Sequence, residues 1–263
     1  MPIIVEERRS GLWITLARPT QHNAINAAMF TQLAEAFTHA AVTPALKYVV
    51  VQGLGRNFSA GGDLGEFDRV LKADRAERSQ AVMMQFRSLT LPWFAAMQAV
   101  PQPIIASARG HAIAAGAQLL FASDLVVASS TLRLSVVQAR LAHTMDHGES
   151  FSLRRKVGLA KAMEMALLGE PVDAEEAHRA GLVNWVVDDD QLEAKTESVA
   201  EKLAGGASLA LREMKGLLVA AAEQDARACL EREATALARC VETEDFVEAL
   251  NSFAARREPV FQV

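Results

Sequence analysis

The segment from Pro103 to Ala128, PIIASARGHAIAAGAQLLFASDLVVA, constrains the fold of this chain more than any other. It reads as an apolar strand, a turn of mostly small residues, a helix and the start of a second strand, so strands and helices must pack as layers here. In the turn, Gly110-His111-Ala112-Ile113-Ala114-Ala115-Gly116, small side chains let a ligand approach main-chain N–H groups at a helix start. A helix N-terminus of that kind suits negative charge, such as one that develops during a reaction.

The flanking sequence has the same mixed character. Residues 12–17, LWITLA, predict a strand that ends at the turn Arg18-Pro19-Thr20. Asn26 is placed to cap a helix whose apolar residues Met29, Phe30, Leu33, Ala36 and Phe37 share one face, ending near Thr43-Pro44. Tyr48–Val51 predicts a buried strand, followed by the glycine-punctuated loop QGLGRNFSAGGDLGEF. A polar run at 68–81 gives way to a helix through Met97, and Thr131–Ser135 and Val183–Val187 predict further strands. Gly158 and Gly169 punctuate helical segments. From Asp188 to Arg257 the pattern is helical, with a change of composition near 188–206. The chain therefore divides into an α/β core at 1–195 and a helical region at 196–263.

Charge and composition narrow the function. At 263 residues and 51% apolar composition the chain can bury a large core, and a net charge of −5 gives no field favouring nucleic acid or an anionic membrane. Cys229 and Cys240 show no disulfide or CxxC spacing, and the six histidines lack HxxxH or HExxH spacing, so no metal is expected. MPIIVEERRSG carries charges instead of an apolar leader core, which makes the cytoplasm the expected location. Arg109, His111, Gln118 and Asp124 interrupt the most hydrophobic segment and argue against a membrane span.

Five separated segments resemble one family in order and spacing. LARPTQHNAIN at 16–26, GRNFSAGGDLGEF at 55–67, PQPIIASARGHAIAAGAQLLFASDLVVA at 101–128, GEPVDAEEAHRAGLVNWVV at 169–187 and TEDFVEALNSFAARREPVF at 243–261 are similar to the crotonase superfamily, the enoyl-CoA hydratase/isomerase group. The resemblance implies an α/β fold, a ββα spiral core with a C-terminal helical trimerisation region, assembled as a homotrimer or a dimer of trimers. It implies a coenzyme A thioester as substrate, with coenzyme A part of that substrate and no separate cofactor. By position it implies oxyanion donors at the N–H groups of Ala60 and Ala115, and CoA or substrate contacts from His22, Ala24, Ser59, Ala60, Gly62, Asp63 and Leu64. Ala114 and Ala115 stand where the family more often has glycine; from the ordinary helical region either would still donate its N–H.

The departures from the family pattern are chemical. The two glutamates of its hydratases fall on Gln118 and Gln138, and a neutral amide neither takes a proton from water nor gives one to carbon. Asp146 is the acid that remains at a family working position, with local resemblance to dienoyl-CoA isomerases, where it transfers a proton, and to 4-chlorobenzoyl-CoA dehalogenases, where it is the nucleophile. The dehalogenase pattern is incomplete, since its histidine falls on Ala95 and its tryptophan on Gln138. Glu149 is a second acid candidate or a first-turn helix charge, His143 and His147 can tune Asp146, and Gln118 and Gln138 can orient substrate. The expectation is isomerase-type proton transfer by Asp146. The alternatives are hydrolysis or dehalogenation with Asp146 as nucleophile or base, and a non-catalytic acyl-CoA-binding homologue in which Asp146 only caps a helix.

Overall fold

The computed structural model describes residues 2–262. β1 (Ile3–Arg8) and β2 (Gly11–Leu16) form an antiparallel hairpin. β1 escapes the sequence reading because Ile3 is its sole buried residue; its charged, exposed side chains suit a sheet edge. Asn26 Oδ1 accepts from Met29 N and starts α1 (Ala27–Val42), which ends before Pro44 as its spacing predicts. After β3 (Tyr48–Gly53) come α2 (Asp68–Lys72) and α3 (Arg78–Gln85), and a π-helical turn at Phe86–Thr90 joins α3 to α4 (Leu91–Ala99).

The central segment supplies β4 (Ile104–Ala108), β5 (His111–Ile113), α5 (Ala115–Ala122) and β6 (Leu125–Ser129). The stretch read as a turn from Gly110 to Gly116 is thus partly a strand, because Ala112 pairs with Leu134 of β7 (Arg133–Ser135) and bridges to Ser59. Then follow α6 (Glu149–Leu168), β8 (Val172–Asp173), α7 (Ala174–Arg179) and β9 (Trp185–Val187). Gly158 has φ 74° and ψ 172° within α6, so the helix breaks there. The C-terminal region is α8 (Leu192–Ala204), α9 (Ser208–Ala221), α10 (Ala226–Val241) and α11 (Glu244–Ala255).

The larger sheet has the order β1-β2-β3-β4-β6-β9, parallel from β2 onward, and β5-β7-β8 forms a second, smaller sheet. Both faces of the larger sheet are covered, which explains its near-continuous apolar strands. Val49 and Val51 pack with α1 residues Met29, Leu33 and Phe37, whereas Tyr48 and Val50 point the other way, onto Leu192, Val199 and Ala200 of α8. Ser107 of β4 and Thr196 of α8 also hydrogen-bond at 2.8 Å. The boundary expected at 195/196 therefore falls inside a helix that belongs to the core. The break lies at Gly205-Gly206, where α8 ends, and α9–α11 leave Leu218, Leu230, Leu237, Leu250 and Phe253 exposed on the single chain.

Candidate active site

Three loops meet at the C-terminal ends of β2, β3 and β4, and the sequence between Arg18 and Asp63 locks two of them together. Asn23 is fully buried; its Oδ1 accepts from Arg18 N, and its Nδ2 donates to Leu54 O and Asn57 O. Its φ of 56° is one that asparagine tolerates better than most residues. Asn23→Ala is expected to lower stability by about 2–3 kcal/mol, because it strands several buried polar groups; a chemical denaturation curve reads this directly. Arg18 Nη1 donates to Asp63 Oδ2 at 2.8 Å and to Ala24 O, and this pairing holds the Asp63 carboxyl below its usual range. Asp63 also accepts from Gly65 N, so it orders the loop.

These bonds revise two of the expected ligand contacts. Ser59 is fully buried, with Oγ donating to Asn23 O and accepting from Gly61 N, so it ties the two loops together and does not face a ligand. Ala60 N–H donates to His22 O at 2.9 Å, which removes it as an oxyanion donor. The free N–H of this loop is that of Gly62, which has no acceptor among the described residues, while the neighbouring Asp63 N–H bonds Ile25 O. A Cβ on Gly62 would meet nothing within 4 Å, so this backbone borders open space. His22 has φ 51° and pairs with Asn57 Nδ2 at the surface, Ala24 lends its carbonyl to Arg18, and Leu64 is exposed.

The second donor comes from the start of α5. Ala115 N–H has no acceptor among the described residues, as the first N–H of a helix, and Gln118 N closes the first turn onto Ala114 O. The 59–62 loop lies against this turn: Ile113 N donates to Ser59 O, and a Cβ on Gly116 would lie 2.6 Å from Ser59 Cβ, so position 116 must be glycine. Ala114, which the sequence places in the ordinary helical region, instead has φ 47° and ψ −117°. Its N–H bonds Ser135 O, which pins this disfavoured geometry. Strain of about 1–3 kcal/mol outweighs the entropy glycine would bring, so Ala114→Gly is expected to raise stability by about 1 kcal/mol. The shift in urea midpoint measures it.

A group of polar side chains gathers around the turn from Asp146 to Glu149. Glu149, at the first turn of α6, is fully buried and accepts from Gln138 Nε2 at 2.7 Å and from His147 N at 2.8 Å. Its carboxylate is thus engaged in holding the turn and Gln138. Gln118 Nε2 donates to Ser152 Oγ at 3.0 Å. Ser152 was not singled out by the sequence, since the burial of a polar residue inside a helix pattern gives no signal of its own, whereas His147 was expected beside Asp146. His147 stacks on Phe30 with ring centroids 5.1 Å apart, and its burial pushes its pKa below the ordinary histidine value.

Asp146 differs from Glu149. Its side chain is 37% exposed and lies 3.6 Å from His147 Nε2, too far for a hydrogen bond. Desolvation raises its pKa above the ordinary aspartate value, while the charge of His143 and a hydrogen bond from Gln138 oppose that rise. His143 itself sits beside Phe67, with ring centroids 5.9 Å apart. The site therefore joins a pair of free main-chain donors to one accessible carboxyl with a raised pKa. Such a set can polarise a carbonyl and move a proton on a neighbouring carbon. Among the described residues, no group of three His, Cys, Asp or Glu could hold a metal ion, and no helix is long and apolar enough to cross a membrane.

Known proteins match this chain over nearly its whole length. A family model described as enoyl-CoA hydratase/isomerase matches residues 6–263. The chain is 32% identical to the 2,3-dehydroadipyl-CoA hydratase of Escherichia coli K12, over 99% of this chain and 98% of that protein. It is 30% identical to the 1,2-epoxyphenylacetyl-CoA isomerase of the same organism, over 98% and 97%. A crystal structure of enoyl-CoA hydratase from Bacillus anthracis superposes with a TM-score of 0.89 at 28% identity, covering 99% of each chain.

Proposed function

The chain belongs to the enoyl-CoA hydratase/isomerase family, and on that premise we propose that it catalyses an isomerase-type proton transfer on an unsaturated acyl-CoA thioester, with Asp146 as the acid/base. The observation that carries this reading is the identity and engagement of the acids. Both hydratase glutamate positions are the amides Gln118 and Gln138, Glu149 is buried and committed to holding its own turn, and Asp146 is the carboxyl of this group that stays partly exposed.

In this mechanism the thioester oxygen lies between the Gly62 and Ala115 N–H groups. Asp146, as carboxylate, takes a proton from a carbon of the unsaturated acyl chain. The C–H electron pair moves into the conjugated system, leaving negative charge on the thioester oxygen. Asp146 then returns the proton to a different carbon as the pair moves back, so the double bond shifts and substrate and product have the same composition. Its raised pKa suits both halves of the cycle, since acid and base forms are each populated nearer working pH. The similarity to an isomerase acting on a CoA thioester supports this reading.

Coenzyme A enters as part of the substrate, held along the His22–Ala24 and Gly62–Leu64 loops, and no separate cofactor takes part. The exposed apolar residues of α9–α11, Leu218, Leu230, Leu237, Leu250 and Phe253, support assembly as a trimer or a dimer of trimers. The cytoplasm, where acyl-CoA pools lie, is the proposed location. Incubation with a panel of enoyl- and dienoyl-CoA thioesters, followed by mass spectrometry, tests the reaction class. An isomer of unchanged mass supports the proposal; a gain of one water, or free CoA with the acid, contradicts it.

A further inference from the structure

A cavity of about 440 Å³ lies where the end of α5 meets α6 and α9, and its lining includes none of Gln118, Gln138 and Asp146. That volume falls in the range of small-molecule sites. Met97, Phe121, Phe151, Leu203 and Val219 make its apolar walls. Three charged side chains from separate elements meet in the same lining: Asp124, which follows α5, Lys156 of α6 and Lys215 of α9.

The pairing among these charges is uneven. Lys215 Nζ donates to Asp124 Oδ2 at 2.7 Å and to Gln102 O at 2.9 Å. Asp124 Oδ2 also accepts from Ile104 N at 2.7 Å, so the carboxylate is committed to Lys215 and to the start of β4. Lys156 Nζ reaches the Asp124 main-chain oxygen at 3.4 Å, and among the described residues no carboxylate forms an ion pair with it. Arg155 is engaged elsewhere: it donates to Val219 O at 2.6 Å, pairs with Glu223 at 3.5 Å and lies over the Phe151 ring. Two ammonium groups therefore share one carboxylate, which leaves one positive charge in excess. Burial pushes the pKa of both lysines below the ordinary value, the direction expected of cations withdrawn from water.

A cation in an apolar cavity is costly until an anion meets it. The ligand that complements these walls has an apolar body and a single negative charge. A carboxylate supplies that charge together with acceptors for the ammonium donors of Lys156, whereas a doubly charged phosphate would exceed it. We propose that this cavity binds an amphipathic monocarboxylate, with its chain against Phe121 and Phe151 and its carboxylate on Lys156 Nζ. The site is separate from the Asp146 group and does not depend on the acyl-CoA reading.

Calorimetric titration of the full chain with sodium octanoate tests the proposal, with octanol as the probe of equal chain and no charge. Octanoate is expected to bind about tenfold or more tightly than octanol, the difference that one charge-assisted contact supplies. Lys156→Met keeps most of the apolar length of the side chain and should remove that difference. Octanol binding should persist in this variant, which also shows that it is folded. Val219 is 45% exposed, so Val219→Trp should fill the cavity and abolish octanoate binding without unfolding the chain. Saturating butyryl-CoA should leave octanoate binding in place. Absence of octanoate binding, equal affinity for octanol, or an affinity unchanged by Lys156→Met or by Val219→Trp would overturn the proposal. Displacement of octanoate by butyryl-CoA would also overturn it and assign the octanoate to the acyl-CoA site.

Discussion

Asp146→Asn is expected to lower kcat/KM by about 10²–10⁴-fold while leaving affinity for an unreactive acyl-CoA within a few-fold of the parent. The amide keeps the shape of the side chain and removes its ability to carry a proton. The pH profile should change with it. Because burial raises the Asp146 pKa, activity in the base-dependent step should fall as pH drops through a value above the ordinary aspartate range, and that limb should vanish in the variant. The stability effect has the opposite sign. A carboxyl whose folded pKa is raised adds stability below its unfolded pKa and loses it as pH rises through the folded value. Above that folded value the charged Asp146 is therefore unfavourable to the fold, and the Asn variant should melt no lower than the parent there. Activity and thermal midpoint measured on one sample separate loss of chemistry from loss of structure.

The second large effect concerns the main-chain donors. Deleting the Ala115 N–H with proline is expected to cost about 10²–10³ in kcat, the usual consequence of removing one oxyanion donor. Position 115 is the first residue of α5, where proline fits a helix because that N–H has no intrahelical acceptor. The residue before it needs attention, since Ala114 has φ 47° and ψ −117°. Those angles mirror the extended region that a residue preceding proline prefers, so glycine can adopt them without a clash. Ala115→Pro should therefore be made in the Ala114→Gly background and compared with Ala114→Gly alone. A loss confined to kcat indicates stabilisation of the reacting state; a kcat unchanged by the proline would show that Ala115 N–H does not meet the developing charge.

Much of the fold was legible because periodicity and capping carry it. The apolar run Tyr48–Val51, the Asn26 cap and the Pro44 stop leave direct marks in sequence, and each has its counterpart in the structure. The three-residue strand β5 left no such mark. Its partners are Leu134 and Ser59, distant in sequence, and nothing local in His111–Ile113 announces them. Position 60 illustrates a related limit. The pattern FSAGGD places several N–H groups within reach of a ligand, but which of them is free depends on the pairing of this loop with His22 and Ile25, and that pairing gives the free donor to Gly62.

The acids show the same division. That Gln118 and Gln138 are amides is plain from the sequence, as is the presence of Asp146 and Glu149 on one loop. Which carboxyl is engaged follows only from packing. Glu149 is turned inward onto Gln138 and the His147 N–H, and Asp146 is left partly in solvent. Spacing of three residues in a loop cannot distinguish the two, because direction is set by the turn at Gly148, with φ 93°.

The claim at the centre of this account is that Asp146 moves a proton between carbons of an acyl-CoA. The most direct measurement is turnover of an enoyl- or dienoyl-CoA in heavy water by the parent and by Asp146→Asn, with deuterium located by mass spectrometry and NMR. The account predicts deuterium at the α or γ carbon of an isomer with no added oxygen, and its loss in the variant. Isomerisation and labelling that persist in Asp146→Asn, or oxygen from solvent in the product, would contradict it.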